Sequence, residues 1–402
     1  MNKQPHSEDL YKREYYDNGF SKGWGMHFKP VADYFFDSHT HYHEQHFPGG
    51  DISEALKSTI GQMDELKVKK ALILFKVYDN GFSKGWGMHF KPVADYFFDS
   101  HTHYHEQHFP GEDISEALKS TIGQMDELKI KKAMILFKVY DNGWQPEEGN
   151  LGPFFKIDKI IKHKDFFNSQ DRFYWAPYLR YLDPNLDIVN KSIDAGASLI
   201  KLHNAHIITD GASPDVWLSQ EWQKVFERIS ETSLPVMWHV TQRRTECKYR
   251  GMGAESYWED GGKKGVTYSN EELLQVFLKV VAKYPKINFI GAHQLHIGWE
   301  RLGELFDKYP NLYTDTSTGC FLNPDDDFYS EDKEYLRNFF IKYSDRIMFA
   351  TDIYYEKPVG IDKKYIFENK GHIRFINKLN LPEDVLQKIA YKNAERIYSI
   401  RN

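Results

Sequence analysis

From Val93 onward the chain alternates short apolar or β-branched runs with longer stretches of helical period. The runs lie at 93–98, 132–139, 172–179, 198–202, 234–238, 287–291, 311–314 and 346–350, each bounded by turn residues, and they predict strands. Between them, the stretches 115–128, 185–195, 215–232, 270–284, 299–309 and 332–343 carry apolar residues at helical spacing, many behind Ser, Asp or Asn; these predict capped helices. Eight strand–helix alternations imply right-handed βαβ units and a parallel sheet, closed as a (β/α)8 TIM barrel of the α/β class. An open doubly wound sheet is the alternative, but no glycine-rich phosphate loop follows the first run.

A repeat changes the length available to that barrel. Gly19–Asn80 recurs 62 residues later as Gly81–Asn142, differing only at Gly50/Glu112, Val68/Ile130 and Leu72/Met134. The tetrapeptide YDNG stands at 16–19, 78–81 and 140–143 and marks the junctions of a tandem duplication. Two copies followed by 260 unrelated residues do not make a solenoid, which stacks three or more units. Removing one copy leaves 340 residues, the size of one barrel with insertions. A closed barrel has room for one first strand, and the second copy reaches the third strand by the shorter connection. Residues 1–80 are therefore expected to be an N-terminal segment holding the surplus copy, and residues 81–402 the barrel.

Composition narrows the function classes. With 402 residues, 41% apolar and 27% charged, the chain can bury a proper core. Apolar runs such as 133–137 fall far short of a membrane span, so no membrane partner is expected. The net charge is −6 with neither sign gathered into blocks, which argues against nucleic acid. Cys247 and Cys320 are too few for a disulfide framework, and the N-terminus lacks an apolar signal core; a reduced, cytoplasmic protein is expected. The outer helices of a barrel offer a surface for a homo-oligomer, though no periodic feature reports one.

Single polar groups close several of the apolar runs, and in a parallel barrel all strand ends open onto one face. The first strand carries DSHTH, where a period of two points His101 and His103 to one side, so both can share one metal. The fifth run ends at His239, the sixth at His293 and the eighth at Asp352. A lone His at a strand end is more often a hydrogen-bonded core residue, and HTHYHEQH also carries His105 and His108, which are read as loop residues, a merely His-rich surface loop being the lesser alternative. Taken together in barrel order, three imidazoles and a carboxylate suit Zn²⁺ with a position left for water, and such a water ionises near neutral pH. The fourth run reads SLIKLHN and sets Lys201 and His203 on one face. Lys201 is either an ion pair at the mouth or a point charge for a substrate carboxylate.

On these motifs, together with KNAERIYSI at 392–400, the chain resembles the amidohydrolase superfamily over Val93–Tyr398, and most closely its amidohydrolase-related branch of hydrolases and decarboxylases. The resemblance implies a metal held by His101, His103, His239 and Asp352, with His293 beside the substrate or the bound water. Asp352 would double as the base. Binuclear members carry a metal-bridging carbamylated lysine where Lys201 stands; we expect one divalent ion, most simply Zn²⁺, with two as the alternative.

The segment 241–270 after the fifth strand is long for a βα connection, and such loops tend to be functional. Arg243, Arg244 and Arg250 suit a carboxylate, and Tyr257 and Trp258 suit a ring; the same loop reads equally well as a solvated surface. The function expected is hydrolysis of a C–N or C–O bond at the carbonyl of a small, anionic substrate. Non-oxidative decarboxylation of an aromatic or enol acid is the alternative, and a non-catalytic metal or ligand-binding barrel the second alternative.

Overall fold

The structure, a computed structural model, describes residues 35–42, 68–75, 94–104, 109, 113–140, 155–182, 184–204, 207, 212–241, 270–317, 330–355 and 372–400. The chain divides into two units, Met1–Lys91 and Pro92–Asn402. In the first, β1 (Phe35–Tyr42) and β2 (Val68–Phe75) form a two-stranded parallel sheet.

The second unit contains β3 (Phe97–Tyr104), β4 (Ile130–Tyr140), β5 (Phe155–Lys156), β6 (Phe173–Leu179), β7 (Ile200–His203), β8 (Val236–His239), β9 (Phe289–Gly291), β10 (Leu312–Asp315), β11 (Ile347–Met348) and β12 (Ile353–Tyr355). The order is β11-β10-β9-β8-β7-β6-β4-β3-β12, with β5 beside β4 outside that path. β11 and β12 are two ends of one stave. β11 pairs with β10 and β12 with β3; between them Ser100 N donates to Phe349 O at 3.0 Å and Asp352 N to His101 O at 2.8 Å. The eighth stave thereby closes on the first, and the expected parallel (β/α)8 barrel stands.

Sequence explains the strands and where they stop. Ala133–Phe137 of β4 is fully buried residue by residue, as a stave needs when helices cover one face and the barrel core the other. The helix Gln220–Thr232 buries Trp222, Val225, Phe226 and Ile229 on one stripe, and Ser219 caps it by accepting from Trp222 N. Two helix expectations are corrected. The stretch 115–128 is two helices, Ile114–Ser120 and Ile122–Glu127, parted at Thr121, whose hydroxyl donates to Leu118 O at 2.7 Å and so competes with the helix ladder. The stretch from Asp215 begins as a 3-10 turn, Pro214–Leu218, and the helix restarts after the Ser219 cap.

Two polar staples fix the ends of the barrel. Near its N-terminal end, Lys132 Nζ and Tyr96 Oη both donate to Glu395 Oε1 at 2.6 Å, and Asn393 Nδ2 donates to Ser344 O and Ile347 O at 2.6 and 2.8 Å. The KNAER motif thus ties the closing helix to β4 and to the eighth stave. At the other end, Trp217 and Trp238 donate Nε1–H to Asn204 Oδ1 at 2.8 and 3.1 Å, while Asn204 Nδ2 donates to Val240 O at 2.7 Å. That staple locks the residue after His203 to the residue after His239. Among the described residues no helix is long and apolar enough to cross a membrane.

Candidate metal centre

The C-terminal strand ends bring the polar side chains together. His101 and His103 come from β3, Lys138 from β4, Tyr178 from β6, Lys201 and His203 from β7 and His239 from β8, while His293 follows β9, Asp315 ends β10 and Asp352 precedes β12. Register sets their levels: Lys138 pairs with Tyr178, Tyr178 with Lys201, and His203 with His239. In-register neighbours in parallel strands share a face.

At the centre, His101 Nε2 lies 3.1 Å and His103 Nε2 3.0 Å from the same oxygen, Asp352 Oδ1. His101 Nδ1 lies 2.8 Å from Asp315 Oδ2, and Lys201 Nζ 3.0 Å from His101 Nε2. His293 Nε2 is 3.1 Å from His239 Nδ1 and 3.9 Å from Asp352 Oδ2, and its Nδ1 is 2.8 Å from Ser317 Oγ. Ser317 Oγ donates to Asp315 Oδ1 at 2.5 Å, and His293 N donates to that oxygen at 2.9 Å. One proton arrangement satisfies these contacts together, and we assign it on that ground. His239 Nδ1–H donates to His293 Nε2, His293 Nδ1–H to Ser317, Ser317 to Asp315, and His101 Nδ1–H to Asp315. In that arrangement His101 Nε2 accepts from Lys201 Nζ, and His239 Nε2 keeps a lone pair with no hydrogen-bond partner among the described residues.

Backbone strain is concentrated here. Asp352 has φ +61°, held by its N–H on His101 O. His293, Gln294, Leu295 and His296 have φ of +58°, +55°, +56° and +50°, a left-handed turn that costs side-chain-bearing residues conformational energy. Gln294 Nε2 holds it by donating to Asp315 O at 2.6 Å and Ser317 O at 3.1 Å. The turn folds Leu295 back onto Gly291, where a Cβ would meet the Leu295 side chain at 2.5 Å, so any larger residue there would force Leu295 to move.

Electrostatics favour ligand chemistry. Burial pushes His103 down to about 4, and it holds His239 and His293 well below the usual imidazole range. These rings are neutral at pH 7, as ligands must be. Burial acts to raise Asp352, but the adjoining His101, His293 and His103 hold it well below the carboxylate range. Burial lowers Lys201 and Lys138 to about 8, opposed in each by Asp352.

The donor set fits a divalent cation. Ligand atoms of His101, His103 and Asp352 lie within 4.8 Å of one another, as do those of His101, His293 and Asp315. The Asp315 bond to His101 Nδ1 favours the first group, because it turns Nε2 toward the site as a carboxylate-oriented ligand. His239 Nε2 is buried with no hydrogen-bond partner among the described residues, so its lone pair is one that a cation could use. His239 itself stands in neither group, with its Nδ1 on His293. Arg243, Arg244, Arg250, Tyr257, Trp258, His105 and His108 lie outside the described residues.

Sequence reasoning missed Asp315, Ser317, Lys138, His296 and His372. Asp315 closes the apolar run of β10 as Asp352 closes the eighth stave, so the same signal was present in YTD. Lys138 is a lone lysine in an apolar run, 6% exposed. His296 stacks on His293 with centroids 5.2 Å apart, and His372 hydrogen-bonds the backbone of Thr316; neither leaves a mark in the sequence pattern.

A family model described as Amidohydrolase matches residues 189–400. No curated protein matches the sequence. Among solved structures, an uncharacterised TIM-barrel protein from Bordetella bronchiseptica is similar at 11% identity and TM-score 0.47, covering 75% of this chain and 98% of that one. A 2,6-dihydroxybenzoate decarboxylase from Rhizobium is similar at 17% identity and TM-score 0.45, covering 76% and 99%. A metallopeptidase from Rhodobacter sphaeroides is similar at 10% identity and TM-score 0.44, covering 76% and 98%. At such distances these neighbours lend no substrate to this chain.

Proposed function

The chain belongs to the amidohydrolase family, and from that premise we propose that it is a metal-dependent hydrolase of a small, anionic substrate, cleaving a C–N or C–O bond at a carbonyl. The observation that carries the reading is the meeting of His101 Nε2 and His103 Nε2 on Asp352 Oδ1 at the barrel mouth. His101, His103 and Asp352, with His239 as a further donor, would hold one divalent ion, Zn²⁺ in our reading, which would supply Lewis-acid polarisation of the carbonyl and acidify the attacking water.

The chain's own groups do the rest. Asp352 Oδ1 faces His101 Nε2 and His103 Nε2 and would be taken up by the ion, so Oδ2, facing His293 Nε2 at 3.9 Å, would be the oxygen that accepts the water's proton and passes it to the leaving group. His293, fixed by Ser317 and the left-handed turn, orients the carbonyl. The His101 lone pair that accepts from Lys201 Nζ is the one an ion would require, so with an ion held there the Lys201 ammonium would be left to face the substrate. Lys138, at the level of Lys201 with Tyr178 between, adds a second ammonium. Both suit a carboxylate.

Those two lysines, with Tyr178 stacked on His203 at 5.5 Å, also favour a second reading, non-oxidative decarboxylation of an aromatic or enol acid. The test is the Zn²⁺-loaded protein offered N-acyl amino acids, lactones and hydroxybenzoates, with products identified by mass. Hydrolysis that falls on the order of 10²–10⁴-fold in Asp352→Asn supports the proposal. CO₂ release without hydrolysis selects the second reading.

A further inference from the structure

The centre above is built with the second copy of the repeat, and the two strands of the first copy pair in the register of the barrel's own first pair. In β1 and β2, Phe35 faces Val68, Phe36 Lys70, Asp37 Ala71, Thr40 Ile73 and His41 Leu74. In β3 and β4, Phe97 faces Ile130, Phe98 Lys132, Asp99 Ala133, Thr102 Ile135 and His103 Leu136. These five pairs are displaced by the repeat length, the first copy adding Tyr42 with Phe75, and both register shifts recur at the same places.

Sequence supplies the other requirements of those two staves. The barrel asks Asp99 to accept from Thr351 N and Oγ1, at 3.0 and 2.6 Å, and Lys132 to pair with Glu395 at 2.6 Å; the first copy has Asp37 and Lys70 at these positions. His239, His293, Asp315 and Asp352 occur once, outside the repeat, so both copies are cut to fit the same partners. We propose that the copies exchange: in a fraction of molecules β1 and β2 stand between β12 and β6 in place of β3 and β4, making His39 and His41 a second, interchangeable pair of ligands for the metal centre.

Little separates the two arrangements. Val68 lacks one methylene of Ile130, and Leu72 for Met134 keeps volume. The connection to β6 lengthens from residues 141–172 to residues 79–172, and because closure cost grows only with the logarithm of length, this disfavours exchange by roughly fivefold. The ligand role of His39 and His41 rests on the proposed metal centre; the strand exchange does not.

The two parts are tested separately. In the full chain with Cys247 and Cys320 changed to Ser, Ala176→Cys is combined with Leu136→Cys, its in-register neighbour, or with Leu74→Cys, the equivalent in the first copy. Under oxidation and peptide mapping we expect the 136–176 disulfide to dominate. The 74–176 disulfide should form within single chains, initially lower by roughly fivefold or more, and then accumulate as exchanged molecules are trapped. No 74–176 link where 136–176 forms, or a 74–176 link found only in covalent dimers, overturns exchange within the chain. As a second measurement that keeps the core intact, His101→Ala/His103→Ala should retain more Zn²⁺ than the variant that also carries His39→Ala/His41→Ala; equal content in the two overturns the ligand role. A wild-type chain without Zn²⁺ would instead count against the proposed centre and leave the disulfide result standing.

Discussion

His101 Nδ1 lies 2.8 Å from Asp315 Oδ2 with both side chains fully buried. The bond fixes which nitrogen of His101 carries the proton and aims the other at Asp352. It also joins β10 to β3 across the barrel interior, since Asp315 in turn gathers the His293 backbone and the Ser317 hydroxyl. One carboxylate therefore orients two imidazoles.

Asp315→Asn keeps the shape and removes the charge that sets this orientation. We expect roughly 10–100-fold weaker Zn²⁺ binding with the fold retained, read by competition against a chelator and checked by circular dichroism. Unchanged affinity would mean that Asp315 does not orient a ligand.

Lys138→Met and Lys201→Met preserve most of the buried stem and delete the ammonium. For a substrate with a carboxylate we expect KM to rise roughly 10–100-fold in each, the range for hydrogen bonds to charged groups. The matching amide should be unaffected. Equal effects on acid and amide would assign these lysines to packing.

Acid should loosen the metal-free protein through its buried imidazoles. His103 and His372 are depressed to about 4 from an ordinary 6.5. Between those values the unfolded chain binds more protons than the folded one, so stability rises with pH through that window and is lost as pH falls from about 6.5 to about 4. Asp99, raised to about 8 by burial against the Thr351 bonds, acts with opposite sign, since its folded form binds the extra proton between about 4 and 8. With His239 and His293 also depressed, the imidazoles outweigh this one carboxyl. Urea midpoints at pH 7, 5.5 and 4 should fall in that order, and His372→Gln should flatten the slope.

The staple at the barrel floor is a buried pair whose partners are nearly inaccessible. Removing Glu395 takes from the buried Lys132 its 2.6 Å carboxylate partner, so Glu395→Ala should lose about 3–5 kcal/mol of stability by urea denaturation. A loss under about 1 kcal/mol would mean that water or another group takes over the lysine.

The barrel and half of the centre were legible in the sequence for one reason: a parallel stave buried on both faces reads as an unbroken apolar run, and a polar residue at its end stands out. His239, His293 and Asp352 announced themselves that way, and His101 and His103 by their spacing of two within the first strand. Asp315 carried the same mark and was passed over because β10 is short and followed by further polar residues. Lys138 was hidden because a lysine within an apolar run reads as a snorkelling surface group, whereas the register with Tyr178 and Lys201 turns it inward. The left-handed turn at His293–His296 had no local signal, since none of its residues is glycine and its conformation is held by Asp315 and Ser317 through Gln294. The break at Thr121 likewise depends on a hydroxyl choosing a carbonyl, which periodicity does not report.

Anomalous diffraction at the zinc edge from crystals of the Zn²⁺-loaded chain locates the ion itself. We expect a peak bonded to Nε2 of a DSHTH histidine pair and to Asp352, with His239 Nε2 turned toward it. A folded chain that takes up no ion, or a peak away from Asp352 and His239, would contradict a metal centre at the barrel mouth.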